Sequence, residues 1–414
     1  MNIKTRVQLS SMMFFQYFIW SAWYVTMGAF LTKGLGCTDT QSGLAYGFTA
    51  FAFIISPMFT GLIADKFFDS EKIVGVLHLV GAILLYFMSE STTFETFFPL
   101  MIIYMLLYAP TISLTSSIAM QLVSNPEKDF PSIRVLGTIG WIAAGLFIGF
   151  GNLDLSNGIK LAGFDETSSM PFFIAMGASV ILGFLSFALP KVAPKDKGGK
   201  VDIKTLLGLD AIGLMKNGSF RMLIISIFLI YIPMTFYFVN GSVFLGEMGI
   251  TKSAALQTLG QVSEVGFMLV LPFILGRIGI KPMLIVGMVA WILRYLFYGY
   301  ADGDANMWMI YVAIGLHGIC YDFLFVSTQI YIDKKAPDNL RSSAQALMTT
   351  ATYGIGMFLG ANIVGYITKS YSDPVTALHN WNPIWLIASA MVAVIVVFFI
   401  FAFKDDTKSE EVNS

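Results

Sequence analysis

Long apolar stretches, broken at intervals by short polar and charged turns, run along the chain from residue 8 to residue 403. A helix rising 1.5 Å per residue needs roughly 20 mostly apolar residues to cross about 30 Å of hydrocarbon. About twelve runs meet that requirement, near residues 8–31, 42–64, 73–89, 97–123, 134–151, 170–190, 219–245, 254–276, 281–299, 306–331, 341–368 and 382–403. The first run is too long and aromatic for a signal-peptide core and contains no small-residue cleavage site, so it is expected to remain a spanning helix. The pattern predicts an all-α membrane protein of twelve transmembrane helices.

The polar breaks between the runs are not equivalent. Of the 25 lysines and arginines, Lys33, Lys160, Lys252 and Lys369 fall on one side of the expected membrane, Arg294 lies within a run, and the others share the side of the N-terminus. Positively charged loops are retained in the cytoplasm, so both termini are expected there. The longest charged connector, residues 191–218 beginning KVAPKDKGGK, separates six runs in residues 1–190 from six in 219–403, with a tail at 404–414. On each side the fifth run has an arginine at its mouth, Arg134 in DFPSIR and Arg341 in DNLRSSAQ, half the chain apart. Each then enters a stretch of small residues, GTIGWIAAGLFIGFG and YGIGMFLGANIVG, which lets helices approach closely in lipid. Two six-helix halves around a cytoplasmic connector resemble the major facilitator superfamily of transporters, in which substrate binds near the membrane midplane between the halves. The turn Gly61-Leu62-Ile63-Ala64-Asp65-Lys66, followed by Lys72, is similar to that superfamily's cytoplasmic loop motif; an ordinary positively charged turn is the alternative.

Composition agrees with the pattern and narrows the function. The 414 residues are 56% hydrophobic and 12% charged, with a net charge of −1. That excludes an ordinary water-soluble enzyme, and the lack of a basic face argues against nucleic-acid binding. Cys37 and Cys320, the two cysteines, support neither a disulfide framework nor a zinc site. No metal and no cofactor are expected. A GxxxxGK[ST] phosphate loop is missing, so transport would run on an ion or solute gradient rather than on nucleotide hydrolysis.

Ionisable groups within spans are costly and are therefore candidates for function. Glu264 lies at the centre of the eighth run in GQVSEVGFMLVLPF, with Gln261 about one turn earlier on the same face. A carboxyl group beside an amide can bind a polar ligand or carry a proton as the neutral acid; a structural hydrogen bond between helices is the alternative. In the tenth run His317 and Tyr321 share a stripe, while Asp322 points about 140° away from His317 on an ideal helix. His317 suits a polar ligand and equally suits simple packing. On the fifth run Arg134, Thr138 and Trp141 share one face, a cation, a hydroxyl and an aromatic plate fit for a ring with hydroxyls; Arg134 snorkelling to the surface is the alternative. The first run adds Gln16, Trp20, Trp23 and Tyr24, the two tryptophans reading slightly better as an interfacial aromatic belt.

Across essentially its whole length the chain resembles the bacterial nucleoside:proton symporter family of the major facilitator superfamily. The stretches that carry the resemblance include FFQYFIWSAWYVTMGAFL, GLIADK, DFPSIRVLGTIGW, GQVSEVGFMLVLPF, RIGIKPMLIVGMVAWILRY, GICYDF and RSSAQ. The resemblance implies uptake of nucleosides with protons by alternating access, with the proton gradient as energy source, in the bacterial inner membrane. It assigns Arg134, Thr138 and Trp141 to the substrate on the fifth helix, Gln261 and Glu264 on the eighth, and Tyr321 on the tenth. Asp322 matches the family's membrane carboxylate, so Glu264 and Asp322 are the proton-coupling candidates. Aligned without gaps on NGSVFL, the family's glutamine and asparagine of the seventh helix become Thr235 and Phe238, and a tenth-helix tyrosine becomes His317. Trp141 stands where phenylalanine is usual. Asn240, Tyr237 or His317 are the groups available to compensate for the two lost amides. The expected partners are a nucleoside, protons and the lipid bilayer, with the chain acting as a monomer. A symporter of sugars or other polar rings is the neighbouring alternative, and a membrane-embedded enzyme using His317 and Asp322 is a more distant one, lacking a positioned nucleophile or metal.

Overall fold

The structure, a computed structural model, describes residues 2–59, 69–123, 126–154, 160–193, 204 and 207–406. Each apolar run is helical over its described part. The helices are α1 (Ile3–Tyr24), α2 (Asp39–Phe59), α3 (Ser70–Ser89), α4 (Phe94–Leu122), α5 (Pro126–Phe150) and α6 (Met170–Phe187), then α7 (Gly218–Glu247), α8 (Ser253–Ile278), α9 (Ile280–Tyr300), α10 (Met307–Gly315 and His317–Lys335), α11 (Arg341–Ser370) and α12 (Trp381–Ala402). Among the described residues, nine helices are long and apolar enough to cross a membrane, or ten with the two parts of α10 taken as one span. The GLIADK turn, residues 194–203 of the central connector and residues 407–414 of the tail lie outside the described residues. Side chains such as Phe401, Leu269 and Phe184 are largely exposed, as a lipid-facing surface requires.

Local chemistry starts several of these helices. Asn2 accepts from the backbone N–H of Lys4 at 3.0 Å, Thr93 from Thr96 at 3.4 Å and Asn217 from Phe220 at 2.9 Å, each satisfying a donor that the first turn leaves unpaired. α7 carries Pro233 in its interior, and the carbonyl of Pro233 accepts the Tyr295 hydroxyl of α9 at 2.7 Å.

Residues Met1–Asp202 and Ile250–Thr258 form one compact unit, and Ile203–Gly249 with Leu259–Ser414 form the other. In the first, α1 packs along α5 and α6, and α3 lies between α4 and α6. The small residues of α5 permit this: a Cβ on Gly140 would come within 2.1 Å of the Phe14 carbonyl oxygen. A buried chain of polar groups crosses the unit, from Ser179 to His78 (3.1 Å), His78 to Gln16 (3.0 Å) and Gln16 to Thr111 (2.8 Å). A short hairpin pairs Asn152–Asp154 with Lys160–Ala162 after α5. Glu166, in the turn before α6, accepts from the Ser253 hydroxyl and from the Ala254 backbone N–H at 2.9 Å, capping the start of α8. Burial pushes the Glu166 carboxyl up to about 7 in spite of those two bonds.

In the second unit α12 packs between α7 and α9, and α11 along α7. Tyr295 stacks on Trp385, with Phe244, Tyr298 and Trp381 around them. The small residues of α11 act as those of α5 do: a Cβ on Gly360 would lie 2.5 Å from the Thr235 hydroxyl and 2.9 Å from the Ile232 carbonyl oxygen. Lys281 closes the end of α12 by donating to the carbonyls of Ile400 (2.8 Å) and Phe403 (2.6 Å). Asp406 is partly desolvated, but bonds from Tyr331, Asn217 and Lys335 hold its carboxyl below the usual range.

Candidate functional site

In the second unit the chemistry gathers where α10 is broken. The two parts of α10 meet at an angle of 42° around Leu316, and no proline is present there. Ser263 of α8 accounts for the break, donating to the Gly315 carbonyl at 2.6 Å and accepting from the Gly318 N–H at 3.2 Å. Gly318 allows the approach, since a Cβ there would lie 2.6 Å from the Ser263 backbone. The next residue of α8 is Glu264, so the contact that bends α10 also brings the carboxyl group to His317, with Oε2 3.6 Å from Nε2. Gln261 follows on the same face, and its side-chain oxygen is buried without a hydrogen-bond partner.

Asp322 opens a π-helical turn over Asp322–Val326 and is completely buried. Neither of its carboxylate oxygens has a hydrogen-bond partner. The half-buried Glu264 of α8 is the charged group that bears on it electrostatically, a second carboxyl group of like charge. π-turns recur at functional positions. Tyr321, beside it, hydrogen-bonds to the hydroxyl of Tyr353 and stacks on His317 with ring centres 5.9 Å apart.

Of the residues expected from the seventh helix, Thr235 goes elsewhere. Thr235 is fully buried, donates to the Tyr231 carbonyl at 2.7 Å and packs against Gly360, so its hydroxyl is engaged within the α7–α11 contact. Asn240 is likewise engaged, its amide nitrogen donating to Thr368 at 2.9 Å. Phe238 is half-buried with its ring 5.3 Å from that of Tyr237. Of the three groups available to compensate, Tyr237 and His317 face one another, with centroids 5.7 Å apart.

In the first unit Arg134, Thr138 and Trp141 are half-buried on α5. The Arg134 guanidinium lies 4.2 Å over the ring of Tyr17, and Gly137 makes room for both. Trp141 meets Trp20 edge to face at 5.6 Å, and Trp20 also touches Tyr24, Phe53 and Tyr108. The aromatic-belt reading of the first helix is therefore corrected. Trp23 is wholly buried against Tyr104 and Phe172, and Trp20 belongs to the same aromatic group as Trp141, its indole N–H buried without a partner.

The family model described as nucleoside H+ symporter matches residues 1–408. The chain belongs to the nucleoside H+ symporter family. Among its relatives, YegT of Escherichia coli (strain K12) is 42% identical over 97% of this chain and 95% of its own length. The xanthosine permease of the same organism is 30% identical over 100% of this chain and 99% of its own. The crystal structure of the nucleoside transporter NupG superposes with a TM-score of 0.85 at 28% identity, covering 98% of this chain and 100% of that one. The fold is thus that of the major facilitator superfamily, and the symporter family is one of multi-pass transporters.

Three residues of this symporter's polar groups are not found by sequence reasoning. Arg294 was visible as the one basic residue inside a run, and the cost of a charge there was a signal to treat it as part of a site. Ser263 stood between Gln261 and Glu264, but nothing in one sequence places it against another helix. Tyr353 joins its group through a contact with Tyr321 between helices distant in sequence.

Proposed function

We propose that this member of the nucleoside H+ symporter family imports nucleosides into a bacterial cell with protons, and that its two units supply different chemistry. The first offers Trp141 and Trp20 for stacking, with Arg134 and Thr138 for polar groups of the ligand. The second offers Gln261, Glu264, His317 and Tyr321 for hydroxyls or base edges, and Glu264 with Asp322 for the proton. Phe238 contributes apolar contact and Thr235 supports the α7–α11 packing. The observation that carries the reading is the fully buried Asp322 carboxyl group, wholly without hydrogen-bond partners, under the charge of the half-buried Glu264, together with the buried amide oxygen of Gln261 that also has no partner. Groups so placed are costly to keep unless a proton or a ligand satisfies them. Both termini lie on the cytoplasmic side, as the lysine and arginine distribution requires.

The test is accumulation of labelled uridine, adenosine and xanthosine by the purified protein in vesicles with an imposed inward proton gradient. Accumulation above equilibrium that collapses with an uncoupler, the nucleoside recovered chemically unchanged, is the expected result. Gradient-driven uptake of a sugar in place of any nucleoside would overturn the substrate, and recovery of altered nucleoside would point to an enzyme.

A further inference from the structure

Arg294 carries a full charge on α9 and has no exposed surface. Its bonds run to His317, Nη1 to Nδ1 at 2.7 Å, and more distantly to the Tyr298 hydroxyl at 3.5 Å. The guanidinium lies 3.9 Å over the ring of Tyr237 and 5.2 Å from that of Trp291, while its Nε has no partner. A buried charge is retained only where other groups are arranged around it, and here they form a line: Arg294, then the imidazole of His317, then the Glu264 carboxylate.

The chemistry of the first contact fixes the second. A guanidinium has five N–H donors and no acceptor, so the 2.7 Å contact requires Nδ1 of His317 to be the acceptor. The neutral ring must then carry its proton on Nε2, the nitrogen turned toward Glu264 at 3.6 Å. A proton added at Nδ1 would face an N–H and break the bond to Arg294. The ring plane is held as well, between Tyr237 and Tyr321, and Gly260 leaves the space it needs, since a Cβ there would sit 3.1 Å from the imidazole. Gln261 lies about one turn from Glu264 on α8, and Asp322 of α10 is within its electrostatic reach.

We propose that Arg294 is a positioning residue which, by donating to Nδ1 of His317, holds that ring as an Nε2–H donor aimed at Glu264 and so keeps the carboxylate oriented for its ligand. The ligand being a nucleoside rests on the reading above; the positioning does not. His317 is on this account no proton carrier, and the cation two groups away acts without touching substrate.

The test uses the full chain with 15N-labelled histidine in lipid nanodiscs, together with uridine and adenosine binding. The chain has three histidines, and the signal lost in His317→Gln assigns the ring. Wild type should show Nδ1 unprotonated and Nε2 protonated. Arg294→Met, which cannot donate, should lose that exclusive tautomer and bind nucleoside about tenfold more weakly, a coupling within the range of contacting residues. In a His317→Phe background the same substitution should change affinity by less than about twofold, because its effect passes through the ring. A wild-type ring protonated on Nδ1, or an equal loss of affinity in both backgrounds, overturns the proposal. If Arg294→Met fails to insert, Arg294→Lys decides: it keeps a donor and should keep the tautomer, whereas an Nδ1–H ring in that folded variant overturns the assignment. A wild type with the expected tautomer that binds no nucleoside would remove the substrate reading and leave the positioning of Glu264 standing.

Discussion

The polar group of the first unit and that of the second are built on opposite rules. Around Arg134 the charge rests on the face of Tyr17, beside the rings of Trp20, Trp141 and Tyr24. The buried polar residues behind them, Gln16, His78, Thr111 and Ser179, satisfy one another. Around Glu264 the rule is reversed: a cation and an imidazole line up with a half-buried carboxyl group, and Gln261 and the buried Asp322 are left with unmet hydrogen bonds. Satisfied networks rigidify, whereas unsatisfied ones are costly and persist where something else completes them. On the reading proposed above, the contrast separates recognition by ring contact from handling of the proton, one to each unit.

The sharpest way to break this division is Glu264→Gln. Glutamine copies the shape of the neutral acid but cannot exchange a proton, so accumulation against a gradient should be abolished while exchange of nucleoside across the membrane persists. Normal accumulation in that variant, still sensitive to uncoupler, would transfer the role to Asp322 and make Glu264 a binding group only.

Next in size are Trp141→Ala and Trp20→Ala. Stacking at single-strand nucleic-acid sites is worth roughly 1 to 3 kcal/mol per base, so affinity should fall about 5- to 150-fold with the response to the proton gradient unchanged. Loss of coupling at unchanged affinity in either variant would erase the contrast between the units. Arg134→Ala should act in the same direction through affinity.

Thr235→Gln sharpens the comparison within the second unit. Because the hydroxyl is engaged with Tyr231 and packed on Gly360, the longer side chain meets backbone on α7 and α11. The expected result is a loss of about 1 to 3 kcal/mol of stability with the ranking of bases unaltered. Phe238→Asn, on a half-buried position, should alter the ranking without that loss. Thermal shifts and competition by unlabelled nucleosides separate the two, and a redirected base preference from Thr235→Gln alone would contradict the packing assignment.

The smallest effect lies at Glu166. Its folded carboxyl titrates near 7 and its unfolded one near 4.5, so between those values the folded chain holds more protons than the unfolded. Stability from this group is therefore fullest below about 4.5 and declines as pH rises toward 7. The melting temperature should fall from about pH 5 to about pH 7.5 more steeply in wild type than in Glu166→Gln. Equal slopes would mean that the cap on α8 does not titrate in this range.

Most of the architecture was legible in the chain because the bilayer imposes a length and a composition on anything that crosses it. The apolar runs, the charged connector and the small-residue stretches of α5 and α11 follow from that constraint alone. The face of Arg134, Thr138 and Trp141, and the pair Gln261 and Glu264, followed from helical periodicity, which relates residues three or four apart on one helix. Periodicity says nothing about neighbours on another helix. Thr235 was read as facing a ligand because its sequence register matched, yet the close α7–α11 contact at Gly360 turns it inward. Trp23 was read at an interface because tryptophan favours interfaces, yet it is buried between α4 and α6.

The amino-acid sequence by itself determined which segments are apolar and long enough to cross a membrane, which turns collect the positive residues, and which ionisable residues fall within the apolar runs, since each depends on local composition and transfer energy. Only the tertiary structure decided that Ser263 bends α10, that the bend brings His317 to Glu264, and that Arg294 completes the line from α9. Those contacts join residues far apart in sequence, and their geometry depends on helix packing, which no pattern along one helix encodes.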